Sequence, residues 1–209
     1  MNNKSNKITS AIIIIGNEIL SGRTQEVNIS HLSIWLNKLG VRVEEVRIIP
    51  DIENKIVNCV NELRRKFNYV FTTGGIGPTH DDITAKSISK AFNLNYEMHQ
   101  EAFNILEKYY KPGEFNEGRQ RMAMMPSKAN LIYNPTSGAP GFFVENVFCN
   151  LELHERGRNR SVKKSMIEKI CIRFHATVQV LSEHRDSGGT HTADQQGLSR
   201  KVLLPNFAV

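Results

Sequence analysis

Residues 71–84 read Phe71-Thr72-Thr73-Gly74-Gly75-Ile76-Gly77-Pro78-Thr79-His80-Asp81-Asp82-Ile83-Thr84. The apolar run Tyr69-Val70-Phe71 leads into three glycines, and a helical pattern begins near Asp82. Strand, glycine loop and helix in that order form the repeating unit of a parallel α/β sheet. Glycines reach positive φ and let a ligand approach the backbone. Their successive N–H groups can form an anion-binding concavity, and the helix start adds partial positive charge. Thr72, Thr73, Thr79 and Thr84 add hydroxyls. This outlines a phosphate site, although the stretch is neither a GxxxxGK[ST] loop nor a GxGxxG fingerprint. Asp81 and Asp82 run against that reading, because carboxylates repel anions. They admit two explanations: capping of the helix, or a divalent cation that bridges carboxylate and phosphate. The cation also explains two acids where a cap needs one. Asp51 and Glu18 stand on neighbouring loops as further oxygen ligands or a general base.

Working outward, Ala11–Ile15 is a β-branched run without alternation, as expected of a strand covered on both faces. The loop 16–22 follows it. Ile29, Leu32, Leu36 and Leu39 then recur at helical spacing, with Gly40 as the stop. Val41–Ile49 reads as a strand, and Asp51 as the N-cap of a helix carrying Ile52, Ile56, Val60, Leu63 and Phe67 on one face. Helices are expected over 82–92, 99–110 and, as a short polar piece, 117–125. Strands are expected over 131–133, 141–144 and 147–149. The alternation predicts a mostly parallel sheet with helices on both faces and ligands beyond the C-terminal strand ends. Three loops lie at such ends: 16–22, 50–51 and 74–84.

The 209 residues divide into a domain over 1–149 and an atypical extension over 150–209. The net charge of +6 does not point to nucleic acid, because the extension carries +4 of it and the domain only +2. The longest apolar run near the N-terminus is stopped after five residues by Gly16-Asn17-Glu18, too short for a signal-peptide core or a membrane span. A cytoplasmic protein without membrane or nucleic-acid partners is expected. Cys59, Cys149 and Cys171 are too few and too widely spaced for a disulfide framework or a zinc site, and Cys59 falls on a core face. His154, His175, His184 and His191 show no ligand spacing. His80, Arg119 and Arg121 are read as solvent-facing, and Met122, Met124 and Met125 as packing.

Four ordered stretches carry a resemblance: Gly16-Asn17-Glu18-Ile19-Leu20-Ser21-Gly22, Pro50-Asp51, the 73–84 segment, and Gly138-Ala139-Pro140-Gly141-Phe142. Together they resemble the N-terminal domain of the competence/damage-inducible CinA proteins, in the wider molybdopterin-binding group that includes MoaB and MogA. The resemblance covers residues 9–149. It implies a three-layer α/β fold, homo-oligomers, and a nucleotide or pterin at the strand ends. In the MogA branch the group binds molybdopterin and adenylates it, and the functional acids there match Asp51 and Asp82. In the CinA branch the domain is associated with hydrolysis of ADP-ribose-like pyrophosphates that depends on a divalent cation, Mg or Co. MogA-type sequences usually carry Arg where this chain has Asp81, so the residue favours the metal-dependent branch. On this reading Asp82, Asp51 and Glu18 are catalytic, and Asp81 and Asp82 hold the metal. Gly16, Asn17, Thr73, Gly74, Gly75 and Gly77 line the phosphate site, with Pro78, Thr79, Thr84, Ser137 and Gly138 beside them. Alternatives are a molybdopterin adenylyl transferase and a non-catalytic or decayed nucleotide- or pterin-binding module. Two departures weigh on activity. Asn17 stands where many relatives have Asp. Beyond Cys149 the turn typical of CinA proteins is missing, so 150–209 reads as degenerate or frame-shifted, with 165–170 briefly helical in pattern and only 166–172 and 178–181 able to form short elements. Nothing there resembles the CinA deamidase domain, and pyridine-nucleotide deamidation is not expected.

Overall fold

A computed structural model describes residues 7–75, 77–79, 82–134 and 138–149. Strand β1 (Ile8–Ile15) is the centre of the parallel part of the sheet. It pairs in parallel with β2 (Val41–Ile49) on one side and β3 (Tyr69–Thr73) on the other. Beyond β3 come β8 (Val147–Cys149), parallel, then β7 (Gly141–Val144) and β6 (Asn130–Ile132), both antiparallel to their neighbours. The sheet order is β2-β1-β3-β8-β7-β6. Three-quarters of β1 is buried, Ala11 through Ile15 almost completely. A strand covered on both faces needs apolar side chains at every position, which explains the missing alternation.

Residues at Ala11, Ile13 and Ile15 face the core shared with helix α3 (Glu53–Lys66) and helix α4 (Thr84–Ala91). Ile56, Cys59, Val60 and Leu63 meet Ala85, Ile88 and Ala91 there. Strand pleating sends Ile12 and Ile14 to the opposite face. Phe71 is in register with Ile12, and Phe148 with Phe71. Their rings lie 5.3 Å apart at the centroids, and the Phe143 ring stacks on Phe148 at 5.2 Å. Helix α2 (Asn28–Lys38) buries Leu32, Trp35 and Leu36, and Gly40 follows it in the left-handed conformation expected of its stop position. The fold class expected from the alternation is the one observed: a mostly parallel sheet with helices.

Three details differ from the sequence reading. Helix α4 starts at Thr84, two residues later than expected. The segment expected as one helix over 117–125 divides into α6 (Glu117–Arg121) and strand β5 (Met124–Pro126). Strand β5 pairs antiparallel with β4 (Tyr96–Met98), and helix α5 (Gln100–Tyr109) lies between β4 and α6 in the chain. A three-residue strand carries no periodicity, and only its partner makes it a strand. Asp51, expected as the cap of α3, makes no cap: Ile52 holds that place without a side-chain bond. The remaining expectations for 150–209, with the helical pattern at 165–170, lie outside the described residues.

Two cysteines sit in the core. Burial pushes the Cys149 thiol up to about 12, while the adjacent Thr72 hydroxyl pulls the other way, and burial also raises Cys59. Neither forms a ready thiolate. On the surface, Arg47 donates to Glu45 at 2.7 Å and to Glu62 at 2.7 Å, and Lys66 reaches Glu45 at 2.6 Å. Arg47 holds Glu62 below its usual carboxylate range, and Lys66 followed by Arg47 does the same for Glu45. Carboxylates depressed in the folded state contribute stability above their unfolded value of about 4.5, and lose it as pH falls through the folded values. Arg47→Met is therefore expected to reduce the slope of stability against pH below about pH 4.5, read from urea midpoints at successive pH values. Stability near pH 7 should drop only slightly, as for exposed ion pairs in general.

Candidate functional site

The chain leaves β1 toward β2 on one side and leaves β3 toward β8 on the other. A crevice opens at such a switch point, beyond the C-terminal ends of the strands. The loops after β1, β2 and β3 meet there.

After Ile15, the Gly16 N–H donates to Ile49 O at 3.1 Å, continuing the β1–β2 pairing past the strand end. The four-residue helix α1 (Asn17–Leu20) follows. The Glu18 carboxylate folds back over Gly16, where an added Cβ would fall 2.7 Å from its Cδ. Asp51 accepts the Asn17 backbone N–H on Oδ2 at 2.8 Å. Its other oxygen, Oδ1, lies 3.5 Å from where a Cβ on Gly75 would stand. Asp51 thus touches the loop after β1 and the loop after β3. That explains why it does not cap α3: it stands just before the cap residue, and an unfilled N–H on the neighbouring strand end takes its carboxylate.

Gly74 has φ +89°, and an added Cβ would run into the Ile15 carbonyl oxygen. The glycine loop consequently lies directly on the end of β1. Thr84 anchors its far side: the Thr84 hydroxyl donates to Gly74 O at 3.0 Å and its N–H to Gly75 O at 3.1 Å. Asp82 closes the loop. Its Oδ2 accepts the Thr79 N–H at 2.8 Å and the Thr79 hydroxyl at 2.5 Å. Since α4 begins only at Thr84, Asp82 is not a helix cap; it ties the loop back on itself. A Cβ on Gly77 would fall 2.6 Å from Asp82 Oδ2. Gly77→Ala should therefore push the Asp82 carboxylate off Thr79. Asp82→Ala, which removes the same bond, should match its effect on ligand affinity. A Gly77→Ala protein with unchanged affinity would show that the carboxylate position is immaterial.

The expected residues divide by placement. Asp51, Asp82, Glu18, Gly16, Gly75 and Gly77 stand on the three loops at the crevice, and Thr79, Pro78 and Asn17 are exposed beside them. Thr73 and Thr84 are buried, and the Thr84 hydroxyl is given to the loop itself. Gly138 lies farther along the same sheet edge, against the Tyr109 ring. Asp81, His80 and Ser137 lie outside the described residues. Among the described residues no three His, Cys, Asp or Glu side chains form a metal-holding cluster.

One neighbour was not legible in the sequence. Arg121 of α6 donates to Pro78 O at 3.4 Å, and Gly118 lets α6 approach the same carbonyl. Arg121 stays exposed, so its guanidinium stands at the glycine loop. Arg119, two residues away, is turned elsewhere: it sits 4.2 Å over the Tyr110 ring and pairs with Glu114. Spacing could not separate these two arginines, because the return of the β4–α5–α6–β5 excursion decides which one meets the loop.

Residues 11–153 match the family described as a probable molybdopterin binding domain. The chain belongs to this molybdopterin-binding family. Among solved structures, this family member is similar to CinA of Thermoplasma acidophilum, a protein of unknown function. That match has a TM-score of 0.65 and 28% identity over 69% of this chain and 88% of that one. The CinA-type molybdopterin-binding domain expected from the four motifs is thereby met. A protein of Caldivirga maquilingensis is 39% identical over 136 residues, 64% of this chain and 53% of its own length. One of Archaeoglobus fulgidus is 35% identical over 136 residues, 65% of this chain and 58% of its own. The chain spans little more than half the length of these relatives. Among the described residues no helix is long and apolar enough to cross a membrane.

Proposed function

We propose that this molybdopterin-binding-type domain binds a nucleotide pyrophosphate at the crevice and hydrolyses it with a divalent cation. The observation that supports the reading is that Glu18, Asp51 and Asp82 stand on three successive strand-end loops, each against glycine backbone: Gly16, Gly75 and Gly77. Acids alone would repel a phosphate, and backbone amides alone would not need them. A cation between the two accounts for both.

The donor chemistry of these residues suits such an ion. Magnesium typically takes one or two protein carboxylates and fills its remaining positions with water and substrate phosphate. Asp51 and Asp82 are hard oxygen donors, and each gives one oxygen, Oδ2, to the protein itself. Those internal bonds orient the carboxylates before a ligand arrives. When bound, the cation would lower the pKa of a water and offset charge on the phosphoryl oxygens. The chain does the rest. Glycine-loop amides and Arg121 hold the phosphate, Arg121 by charge-assisted bonds. Glu18, folded over Gly16, would take a proton from the attacking water. Asp81 would add a further carboxylate.

The test is release of AMP from ADP-ribose or FAD by the purified protein, with and without Mg²⁺ or Co²⁺. AMP release that needs the cation is the expected result; none with either substrate and either ion removes the reading. The family match supports a second reading, a molybdopterin ligand, to which the resemblance to MogA adds adenylyl transfer. It calls for tight molybdopterin binding and consumption of ATP without water as acceptor. Arg121 serves either reading, and Arg121→Met is expected to weaken binding of inorganic pyrophosphate about tenfold, the scale of one charged hydrogen bond. Titration calorimetry measures it, and unchanged affinity would leave Arg121 a purely structural neighbour of Pro78.

A further inference from the structure

A cavity of about 360 Å³ opens in the excursion between β4 and β5, where the end of α5 meets the turn into α6. That volume lies at the lower end of the roughly 300–1,000 Å³ typical of small-molecule sites. Local chemistry builds it. Helix α5 stops at Tyr109, and Lys111-Pro112-Gly113 turns the chain back. Gly113 takes φ +84°, a conformation that favours glycine, and the Glu114 N–H donates to Lys111 O at 2.9 Å. The turn returns Phe115 to α5, where its ring meets Phe103 edge-on at 5.0 Å and lies nearly parallel to Tyr110 at 6.1 Å. These three rings line the cavity and stay half-buried. Phe103 and Phe115, inclined at 63°, form an apolar corner. Gln120 of α6 ties the next helix to it, donating from Nε2 to Phe115 O at 3.2 Å.

Two opposite charges flank the rings. Glu107, in the last turn of α5, and Lys111, just past its end, both line the cavity and are both exposed. Among the described residues neither side chain takes part in an ion pair or a hydrogen bond. Arg119 differs: it stands 4.2 Å over the Tyr110 ring and pairs with Glu114. A ligand carrying only a positive charge would meet the repulsion of Lys111 and Arg119. One carrying only a negative charge would meet that of Glu107. An apolar corner between one carboxylate and one ammonium instead matches a zwitterion with an apolar side chain.

We propose that this cavity binds a free α-amino acid with an aliphatic or aromatic side chain. Lys111 addresses its carboxylate, Glu107 its ammonium, and the corner of Phe103 and Phe115 its side chain. The partial negative charge at the end of α5 adds to the attraction for the ammonium beside Glu107. This site is separate from the crevice and does not depend on a phosphate in the glycine loop. The two meet at α6, where Gln120 lines the cavity and Arg121 donates to Pro78 O.

The test titrates the full chain with five probes: L-phenylalanine, L-leucine, glycine, phenethylamine and 3-phenylpropionate. Glycine has both charges and no side chain, and the last two each carry a ring with one charge. L-Phenylalanine or L-leucine should bind more tightly than any of the other three. Glu107→Gln should weaken that amino acid about fivefold, the upper end for an exposed charge pair, and leave 3-phenylpropionate unchanged. Lys111→Met should weaken it by as much and leave phenethylamine unchanged. Both side chains are exposed, so each variant should melt like the native protein. The proposal is overturned if neither amino acid binds, or if glycine or a singly charged probe binds as tightly. It is equally overturned if either substitution leaves the amino acid unaffected or weakens every probe alike.

Discussion

Asp82→Asn should abolish cation-dependent AMP release while leaving the protein folded. Asparagine is nearly isosteric with aspartate, and its amide oxygen can still accept the Thr79 N–H that Asp82 Oδ2 accepts at 2.8 Å. The loop is therefore expected to keep its shape, and thermal unfolding to move little. The negative charge is what is lost. If Asp82 helps to hold a cation against the phosphate, its neutralisation should cost at least about 100-fold in kcat, the scale seen when one preorganised electrostatic contact is removed. Steady-state AMP release at saturating Mg²⁺, paired with a melting curve, measures both halves. Full activity in this variant would remove the metal–carboxylate reading. Loss of activity together with a collapsed melting temperature would instead mark Asp82 as a structural tie, and Thr79→Val, which deletes only the hydroxyl partner, would then be equally damaging.

Gly74→Ala has the largest expected effect on stability. At φ +89° an L-residue is strained by roughly 1–2 kcal/mol. The added methyl would also meet the Ile15 carbonyl oxygen. That atom belongs to the buried end of β1, and the nearest atoms are all backbone, so no flexible side chain is available to yield. A loss of about 2–4 kcal/mol follows, read as a lower urea midpoint at unchanged slope. A midpoint equal to the native one would mean that the loop after β3 does not rest on β1. Gly113 makes a useful control. It also has positive φ, at +84°, but an added Cβ there meets nothing, so Gly113→Ala should cost only the conformational strain.

How legible the site was depended on whether a signal was local. The glycine loop and its acids could be read from 71–84 because strand, loop and helix are contiguous there and each has its own periodicity. Ala11–Ile15 announced a doubly covered strand by its composition alone. Asp51 and Glu18 could be named as candidates because each follows a strand, and strand ends gather at one edge of a parallel sheet. Their partners could not. The carboxylate of Asp51 was expected to cap α3, and it bonds instead to the Asn17 N–H, 34 residues away in sequence. Asp82 was expected at a helix start, and it closes the loop onto Thr79. In both cases the same local preference of Asp for an unfilled N–H operates. Which N–H is nearest depends on how the loops are brought together.

The β4–β5 pair and Arg121 mark the same boundary. A three-residue strand has no readable period, and its existence follows only from the hydrogen bonds of its partner. By itself, the sequence determined the alternating α/β order, the glycine loop, the acids at strand ends and the resemblance that the family match bears out. These rest on periodicity and on contiguous residue chemistry. The tertiary structure alone decided which arginine stands at the loop, which oxygen of each carboxylate the protein keeps for itself, and that two tyrosines flank one cleft. Those are contacts between segments far apart in the chain, and no local pattern encodes the distance between them.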